Sequence, residues 1–254
     1  MKLIRNLFVV ALLTLPLAGH ADEAAIRRNL AARFPGMDIT SVSKTPYSGL
    51  YEIVVDGQIA YVDENADYLF LGSVVDTRSH KNLTRERLAK LDAVNPASLP
   101  LDHAIRIVKG DGSRTLYVFS DPECPYCKRL EQELTKVGNL TVYIFPYPIE
   151  TLHPGSTRLA RQIWCAKDRA LAWRNALLKN QTPKNDGSCD NPIDANQALG
   201  RSLQISGTPT LIFADGQRVA GAMPADRIEA ALKAIAGTSG KPAAADKPPV
   251  AGKP

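Results

Sequence analysis

Two cysteines separated by two residues, Cys124 and Cys127, lie where a strand pattern gives way to a helix pattern. Residues 115–119 are β-branched, aromatic or aliphatic, which is typical of a buried strand. Pro125 follows the first cysteine, and apolar residues then recur at helical spacing up to residue 137. A strand that leads directly into a helix is the repeating unit of α/β domains. The pair therefore predicts an α/β domain whose helix begins at the first cysteine.

This position gives the first cysteine a chemical advantage. Unpaired backbone N–H groups and the dipole at a helix N-terminus stabilise an anion, which favours the Cys124 thiolate. Such cysteines have pKa values of about 3.5–7, compared with about 8.5 for a free cysteine. Pro125 suits the first helical turn because its missing N–H costs nothing there. The spacing brings Cys127 within reach, so we expect Cys124 to attack a disulfide and Cys127 to resolve the mixed disulfide.

Two other interpretations of the pair stay open at this point. A C-x-x-C pair can form half of a zinc site, which needs a second ligand pair. Cys165 and Cys189 are 24 residues apart, and His103 and His153 do not have ligand spacing, so we expect no metal. The other interpretation is a purely structural disulfide at the strand–helix junction.

Charged residues near the pair bear on the thiolate. Asp121 and Glu123 precede Cys124, and nearby carboxylates oppose thiolate formation. His153, which precedes Pro154 in a loop pattern, is a candidate to lie near the site.

The N-terminus has the pattern of a cleavable secretory signal. Lys2 and Arg5 precede a short apolar run, and small residues stand at Gly19 and Ala21. The run is shorter than the roughly 20 residues that span a bilayer, although an N-terminal membrane anchor is the alternative. We expect cleavage after Ala21 and export, which suits four cysteines that can form disulfides. Loss of residues 1–21 lowers the net charge from +5 to +3, which is too mild to indicate a nucleic-acid partner.

Residues 22–78 have the pattern of a small α+β unit. An amphipathic helix pattern precedes strand patterns over 51–55 and 59–62, which the turn Asp56–Gly57 joins, and a third strand pattern covers 68–75. A unit of about 60 residues is marginally stable alone, and the edge strands of a small sheet can pair with a second copy. We therefore expect a homodimer through this unit, and contact with the rest of the chain is the alternative.

A linker helix is predicted within residues 79–101. Asn82 or Thr84 can cap a helix that runs to Asn95, and Pro96 ends it. The thin apolar face of this helix suits a connecting element.

Residues 102–237 alternate strand and helix patterns, with a helical insertion near 155–180. This order is typical of an α/β architecture. Residues 238–254 are rich in Pro, Ala, Gly and Lys, and we expect a disordered tail there.

Three segments resemble the DsbC family of periplasmic disulfide isomerases: Phe119–Cys127 (FSDPECPYC), Ile163–Asp168 (IWCAKD) and Gly207–Pro209 (GTP). The resemblance covers about residues 22–237. It implies an α+β chain with a small N-terminal cystatin-like dimerisation domain, a linker helix and a C-terminal thioredoxin-like α/β domain with a helical insertion. It also implies a periplasmic homodimer that acts on misoxidised or unfolded exported proteins. A membrane thiol reductase of the DsbD type would keep the pair reduced, and no cofactor or nucleic acid is expected.

The resemblance assigns roles to residues. Cys124 corresponds to the nucleophile and Cys127 to the resolving cysteine. Thr208 and Pro209 correspond to the substrate-side loop, where the X–Pro bond is cis and the backbone of Thr208 can pair with an extended peptide. Tyr126 lies inside the motif and is expected to shape access to Cys124.

Cys165 and Cys189 resemble the second, structural disulfide of the family. On the chain-entropy model, closing a loop of about 25 residues stabilises the fold by roughly 3.5 kcal/mol. A second redox pair is the alternative.

One residue departs from the family pattern. Pro125 stands where DsbC proteins usually have glycine, and C-P-Y-C also occurs in the related DsbG proteins and in glutaredoxins. Glutaredoxins are small cytosolic domains, so the signal and the N-terminal unit argue against them.

The leading hypothesis is a disulfide isomerase. The alternatives are a DsbG-like reductase of sulfenylated cysteines and a chaperone-like binder of unfolded exported proteins, while a monomeric oxidant of the DsbA type leaves residues 22–100 without a role.

Overall fold

The computed structural model describes residues 18–47 and 49–239. The chain divides into two compact units, with the boundary between Leu91 and Asp92. Most of the predicted signal lies outside the described residues, and only residues 18–21 are described, as the first turn of a helix. Among the described residues, no helix combines the length and the apolar character needed to cross a bilayer.

In its described part, the N-terminal unit has a four-stranded antiparallel sheet, a two-stranded ribbon and two helices. The elements are α1 (Ala18–Arg33), β1 (Ile39–Lys44), β2 (Leu50–Val55), β3 (Gln58–Asp63), β4 (Leu69–Phe70), β5 (Val75–Asp76), β6 (Lys81–Asn82) and α2 (Leu83–Leu91). The sheet order β1-β2-β3-β4 follows the chain, and β5 pairs with β6. Strands β2 and β3 confirm the predicted hairpin. Asp56 has φ 49° and Gly57 has φ 73°, and two left-handed residues form the turn that suits the twist of paired strands.

Strand β1 has no counterpart among the predicted strands. Its pairing with β2 shifts between Ile39 and Ser41, and such a bulge breaks the alternation of inward and outward side chains. Ile39 and Val42, three residues apart, are therefore both buried. The third predicted strand, over 68–75, is wrong for most of its length, because only β4 and β5 form there.

The linker helix is shorter than predicted, since α2 ends at Leu91 and packs within the N-terminal unit. Asn82 caps it, because the Arg85 N–H donates to Asn82 Oδ1 at 2.8 Å. Thr84 has another role: its buried hydroxyl lies 2.6 Å from the Tyr61 hydroxyl and accepts the Val74 N–H.

The described part of the C-terminal unit forms a five-stranded sheet that helices flank. The elements are β7 (Ile105–Lys109), β8 (Arg114–Ser120), α3 (Pro125–Leu134), β9 (Leu140–Pro146), α4 (Ser156–Trp164), α5 (Arg169–Lys179), α6 (Ile193–Ser202), β10 (Thr210–Phe213), β11 (Arg218–Ala220) and α7 (Ala225–Ser239). The sheet order is β11-β10-β8-β9-β7. Strands β8 and β9 are parallel, and the other neighbours are antiparallel. This architecture, with α4–α6 inserted between β9 and β10, confirms the α/β prediction.

The last helix extends slightly beyond its predicted end. Residues 238 and 239, the first two of the predicted tail, belong to α7. The remaining tail residues, 240–254, lie outside the described residues.

The cysteine pair follows the central strand of the sheet. Phe119 of β8 and Phe145 of β9 are fully buried and stack with ring centroids 4.9 Å apart. The chain leaves β8 at Ser120 and enters α3 at Pro125. Sites in open α/β sheets lie at the carboxyl ends of such central strands.

Glu131, in the core of the C-terminal unit, has a pH-dependent effect on stability. Glu131 is 7% exposed and accepts a hydrogen bond from Trp173 Nε1 at 3.2 Å. Burial raises the pKa of Glu131, so the ionised carboxylate disfavours the folded state. This penalty is absent below the pKa of the unfolded chain and grows as the pH rises through the raised pKa of the folded chain.

Glu131→Gln should therefore stabilise the protein at pH 7.5, because burial raises the pKa of the Glu131 carboxyl and makes its ionised form unfavourable in the fold. The amide keeps an acceptor for Trp173 without carrying a charge. Chemical denaturation at pH 7.5 and pH 4 tests this expectation, and the advantage should vanish at pH 4. A variant that is less stable than the wild type at both pH values would contradict it.

Candidate active site

Cys124 and Cys127 are both free thiols and both buried. Cys124 is the residue that caps α3, with φ −66° and ψ 123°, and Pro125 follows it in the first turn. The carbonyl oxygen of Cys124 accepts the N–H groups of Cys127 and Lys128, each at 3.0 Å. The predicted helix start at the first cysteine is therefore confirmed.

The thiolate of Cys124 is stabilised by groups around its sulfur. Its pKa is lowered to about 5, first by a hydrogen bond from the Cys127 thiol and then by the Cys127 N–H, the Thr208 hydroxyl and the Tyr126 N–H. These contributions outweigh the burial, which raises the pKa. At pH 7 Cys124 is thus mostly in the nucleophilic form.

Cys127 has the opposite electrostatic environment. Burial, followed by the hydrogen bond to Cys124, raises the pKa of Cys127. Its sulfur accepts the Asp121 N–H at 3.4 Å. At neutral pH Cys124 is therefore ionised and Cys127 is protonated. Two neighbouring groups whose pKa values are pushed apart can take different chemical roles.

Thr208 lies against Cys124, although 84 residues separate the two in sequence, and Pro209 follows it. The Thr208–Pro209 peptide bond is cis, as the resemblance implies. The Cys124 thiol donates to the Thr208 carbonyl oxygen at 3.4 Å. The Thr208 hydroxyl is buried and has no hydrogen-bond partner in the described residues, so it is available to donate once the thiolate forms.

A lysine forms an ion pair with the carboxylate that precedes Cys124 in sequence. Glu123 Oε2 lies 3.4 Å from Lys128 Nζ, which also donates to Asn180 Oδ1 at 3.1 Å. Neither Lys128 nor Asn180 was predicted from the sequence to belong to the site. The position of Glu123 just before the helix, with Lys128 in the first turns, could have indicated the role of Lys128.

Because Glu123 and Lys128 carry opposite charges, we expect neutralisation of each to shift the pKa of Cys124 in opposite directions. Lys128→Gln should raise the pKa of Cys124 by leaving the Glu123 carboxylate uncompensated, and Glu123→Gln should lower it. Because both side chains are partly exposed, we expect changes of about twofold in the alkylation rate near pH 5. Rates that move in the same direction in both variants would contradict this expectation.

Tyr126 is 63% exposed, although it stands between two buried cysteines. Leu152, in the loop after β9, is 65% exposed. Among the described residues of this unit, these are the most exposed large apolar side chains, and both lie on segments next to the cysteine pair.

Cys165 and Cys189 form a disulfide with Cα atoms 5.7 Å apart. They therefore cannot supply the second ligand pair of a zinc site that includes Cys124 and Cys127. No group of three or more His, Cys, Asp or Glu side chains in the described residues could hold a metal ion.

His153 is part of the site. Its Nδ1 atom lies 2.9 Å from Asp121 Oδ2, and the Asp121 carboxylate is fully buried. Asp121 precedes Cys124 by three residues, while His153 comes from the loop after β9.

Two family models match the chain. Residues 101–236 match a thioredoxin-like domain, and residues 17–85 match the N-terminal domain of disulfide bond isomerase proteins. Together these matches cover both units of the fold.

Several proteins with names that describe disulfide exchange are similar to the chain. The probable thiol:disulfide interchange protein DsbC of Bordetella pertussis is 45% identical over 208 residues, which cover 82% of this chain and 73% of that protein. The thiol:disulfide interchange protein DsbC of Salmonella typhimurium is 31% identical, with 80% of this chain and 83% of that protein covered. A crystal structure of a disulfide interchange protein from Neisseria gonorrhoeae has a TM-score of 0.52 and 42% identity, covering 54% of this chain and 97% of that one.

Proposed function

The chain belongs to the DsbC family of thiol:disulfide interchange proteins and is a thiol–disulfide oxidoreductase, and we propose that it reshuffles incorrect disulfides in exported proteins. The observation that carries this proposal is the difference between the pKa values of the two thiols. The pKa of Cys124 is lowered to about 5, whereas that of Cys127 is raised. Cys124 is the nucleophile in the proposed reaction, and Cys127 is the resolving cysteine.

The reaction begins when the Cys124 thiolate attacks one sulfur of a client disulfide. A bond forms between Cys124 and that sulfur, and the second client sulfur leaves as a thiolate. In isomerisation, another client thiolate attacks the mixed disulfide and releases Cys124, so no net oxidation occurs. In reduction, Cys127 loses its proton and attacks Cys124, which oxidises the pair and releases a reduced client.

The substrate side of the site consists of Thr208, Pro209 and Tyr126. Thr208 lies outside β10, so its backbone is not part of the sheet ladder and can pair with an extended client chain. The exposed ring of Tyr126 offers an apolar surface for client side chains. Cys165–Cys189 is the structural disulfide in this scheme.

The site of action is the periplasm. The N-terminal signal pattern with cleavage after Ala21 supports this location, as does the disulfide between Cys165 and Cys189. A reductase that supplies two electrons and two protons must restore the dithiol after each reduction. A membrane thiol reductase of the DsbD type is the proposed donor.

Refolding of a scrambled protein with several disulfides tests the function. The reduced protein, added in catalytic amount without other thiols, should restore the activity of the scrambled substrate. The double variant Cys124→Ala/Cys127→Ala should leave the substrate scrambled. If the double variant suppresses aggregation but the wild type does not unscramble, the chaperone-like role replaces the proposed one.

Pro125 supports a second candidate, the DsbG-like reduction of sulfenylated cysteines, because the sequence C-P-Y-C also occurs in DsbG proteins. Cys124 would attack the sulfur of a sulfenic acid and release hydroxide, and Cys127 would then free the reduced client cysteine. A single-cysteine protein oxidised to its sulfenic acid distinguishes the two. Turnover of this substrate without activity on the scrambled protein would favour the second candidate.

The N-terminal unit provides the proposed dimer contact, within residues 22–78. Strand β4 is the edge of its sheet and pairs with β3 through two residues only. Apolar side chains at and beside this edge are exposed: Tyr68, Phe70, Leu71 and Val75. An open edge with an exposed apolar cluster favours pairing with a second copy.

Light scattering at micromolar concentration should therefore give twice the mass of one mature chain. Leu71→Glu should shift the population towards monomer because it places a charge in this cluster. Glu64→Lys, an exposed charge reversal in the turn after β3, serves as the control and should stay dimeric. A wild-type protein that is monomeric under these conditions would refute the dimer.

A further inference from the structure

Asp121 contacts both cysteines through its backbone. Its N–H donates to Cys127 Sγ at 3.4 Å, and its carbonyl oxygen accepts the Cys124 N–H at 3.2 Å. A displacement of the Asp121 backbone therefore changes the position of both thiols.

The Asp121 side chain is fully buried, and three donors satisfy it. Oδ1 accepts the Glu123 N–H at 2.9 Å, and Oδ2 accepts the Ile149 N–H at 2.7 Å. The third donor is His153 Nδ1, 2.9 Å from Oδ2. Both carboxylate oxygens can accept hydrogen bonds, and the tautomer of His153 with its hydrogen on Nδ1 completes this set of donors. A buried carboxylate depends on such donors, and His153 is the one that comes from a side chain.

The loop that carries His153 is held in two places. The N–H groups of Leu152 and His153 both donate to the Ile149 carbonyl oxygen at 2.9 Å. The Glu150 carboxylate accepts the N–H groups of Gly155 at 2.6 Å and Thr157 at 2.9 Å, and these bonds lower the pKa of Glu150 to about 2. The imidazole is therefore directed at Asp121 by a well-connected turn.

We propose that His153 is a positioning residue for the dithiol, which acts through its hydrogen bond to the Asp121 carboxylate. The inference rests on the proposed role of Cys124 as the nucleophile. His153 turns its N–H, a positive dipole end, towards a negative charge beside the cysteine pair. Without this donor, the Asp121 charge is less well balanced and its backbone is less well fixed. Both changes disfavour the Cys124 thiolate.

The test compares His153→Ala with His153→Asn in the full mature protein. The Asn side chain can place its Nδ2 donor where the imidazole Nδ1 stands, so it restores the hydrogen bond without a ring. The rate of alkylation by iodoacetamide is measured between about pH 4 and pH 8, and mass spectrometry identifies the modified cysteine. His103→Ala, in the same unit, is the control, because His103 does not donate to Asp121.

We expect H153A to shift the titration of Cys124 to higher pH and to slow its alkylation at pH 5 by about twofold, which corresponds to a rise of about half a unit in the pKa. H153N and H103A should match the wild type. If the pH dependence of alkylation in H153A is the same as in the wild type, the proposal is overturned. It is also overturned if the pH dependence in H153N is shifted as far as that in H153A. If Cys127 is alkylated before Cys124 in the wild type, the proposed function fails instead.

A measurement on the wild-type protein keeps the proposal testable if H153A does not fold. The ¹⁵N spectrum of the histidine rings should show that Nδ1 of His153 is protonated. A neutral ring that carries its hydrogen only on Nε2 would overturn the proposal.

Discussion

Cys124→Ala is expected to abolish disulfide exchange, and Cys127→Ala is expected to trap client proteins as mixed disulfides. Removal of a nucleophile that forms a covalent intermediate lowers turnover by about a thousandfold or more. Cys127→Ala keeps the thiolate but removes the internal thiol that releases the client. Its covalent complexes should appear on non-reducing gels and disappear after treatment with a reductant.

The pH dependence of the nucleophile provides a second readout of the same prediction. In the wild type, alkylation of Cys124 should rise with a midpoint near pH 5 and level off above it, because the thiolate is the reactive form. In Cys127→Ala the midpoint should move to higher pH, since the Cys127 thiol is the first cause of the lowered pKa. Mixed disulfides that form through Cys127 in Cys124→Ala, at the wild-type rate, would reverse the two assignments.

The local parts of the site could be predicted from the sequence. The strand that ends at Ser120, the helix start at Cys124 and the turn at Asp56–Gly57 depend on residues close in sequence. Each follows from a short-range rule on apolar periodicity, capping or turn residues. These are the elements whose predicted and observed positions agree best.

The contacts that tune the site are long-range, and the sequence pattern does not contain them. Thr208 meets Cys124 across 84 residues, and His153 meets Asp121 across 32. The resemblance to a family indicated the first contact. The second depends on a turn after β9 whose shape is set by backbone hydrogen bonds to Ile149 and Glu150.

Errors arose where tertiary contacts override local pattern. The bulge in β1 brings Ile39 and Val42 to one face, so the strand lacks the alternation that predicts strands. The hydroxyl of Thr84, which could cap a helix, instead connects Tyr61 and Val74 inside the N-terminal unit. Asn82 takes the cap, and the helix ends earlier than its apolar residues indicate.

The disulfide between Cys165 and Cys189 should contribute stability and little to exchange. It closes a sequence separation of 24 residues and ties the end of α4 to the irregular segment after α5. On the chain-entropy model its loss costs roughly 3.5 kcal/mol, or roughly 10 °C in Tm for a unit of this size. The double variant Cys165→Ala/Cys189→Ala avoids a new free thiol and is the variant to measure.

The segment that contains Cys189 is also attached to α4 by hydrogen bonds, so we expect the fold to survive the loss of the disulfide. Gln162 Nε2 donates to the Asn185 carbonyl oxygen at 2.7 Å, and Asn185 Nδ2 donates to the Gln162 carbonyl oxygen at 2.8 Å. Adding Asn185→Ala to the double variant removes the bond that the Asn185 side chain donates and keeps the one that its backbone carbonyl oxygen accepts. This loss should lower the stability further. Denaturation midpoints and the alkylation rate of Cys124 are measured on the same samples, and the rate should match the wild type below the unfolding transition. An exchange rate that falls more than about tenfold in a double variant of wild-type stability would instead assign Cys165 and Cys189 to the redox chemistry.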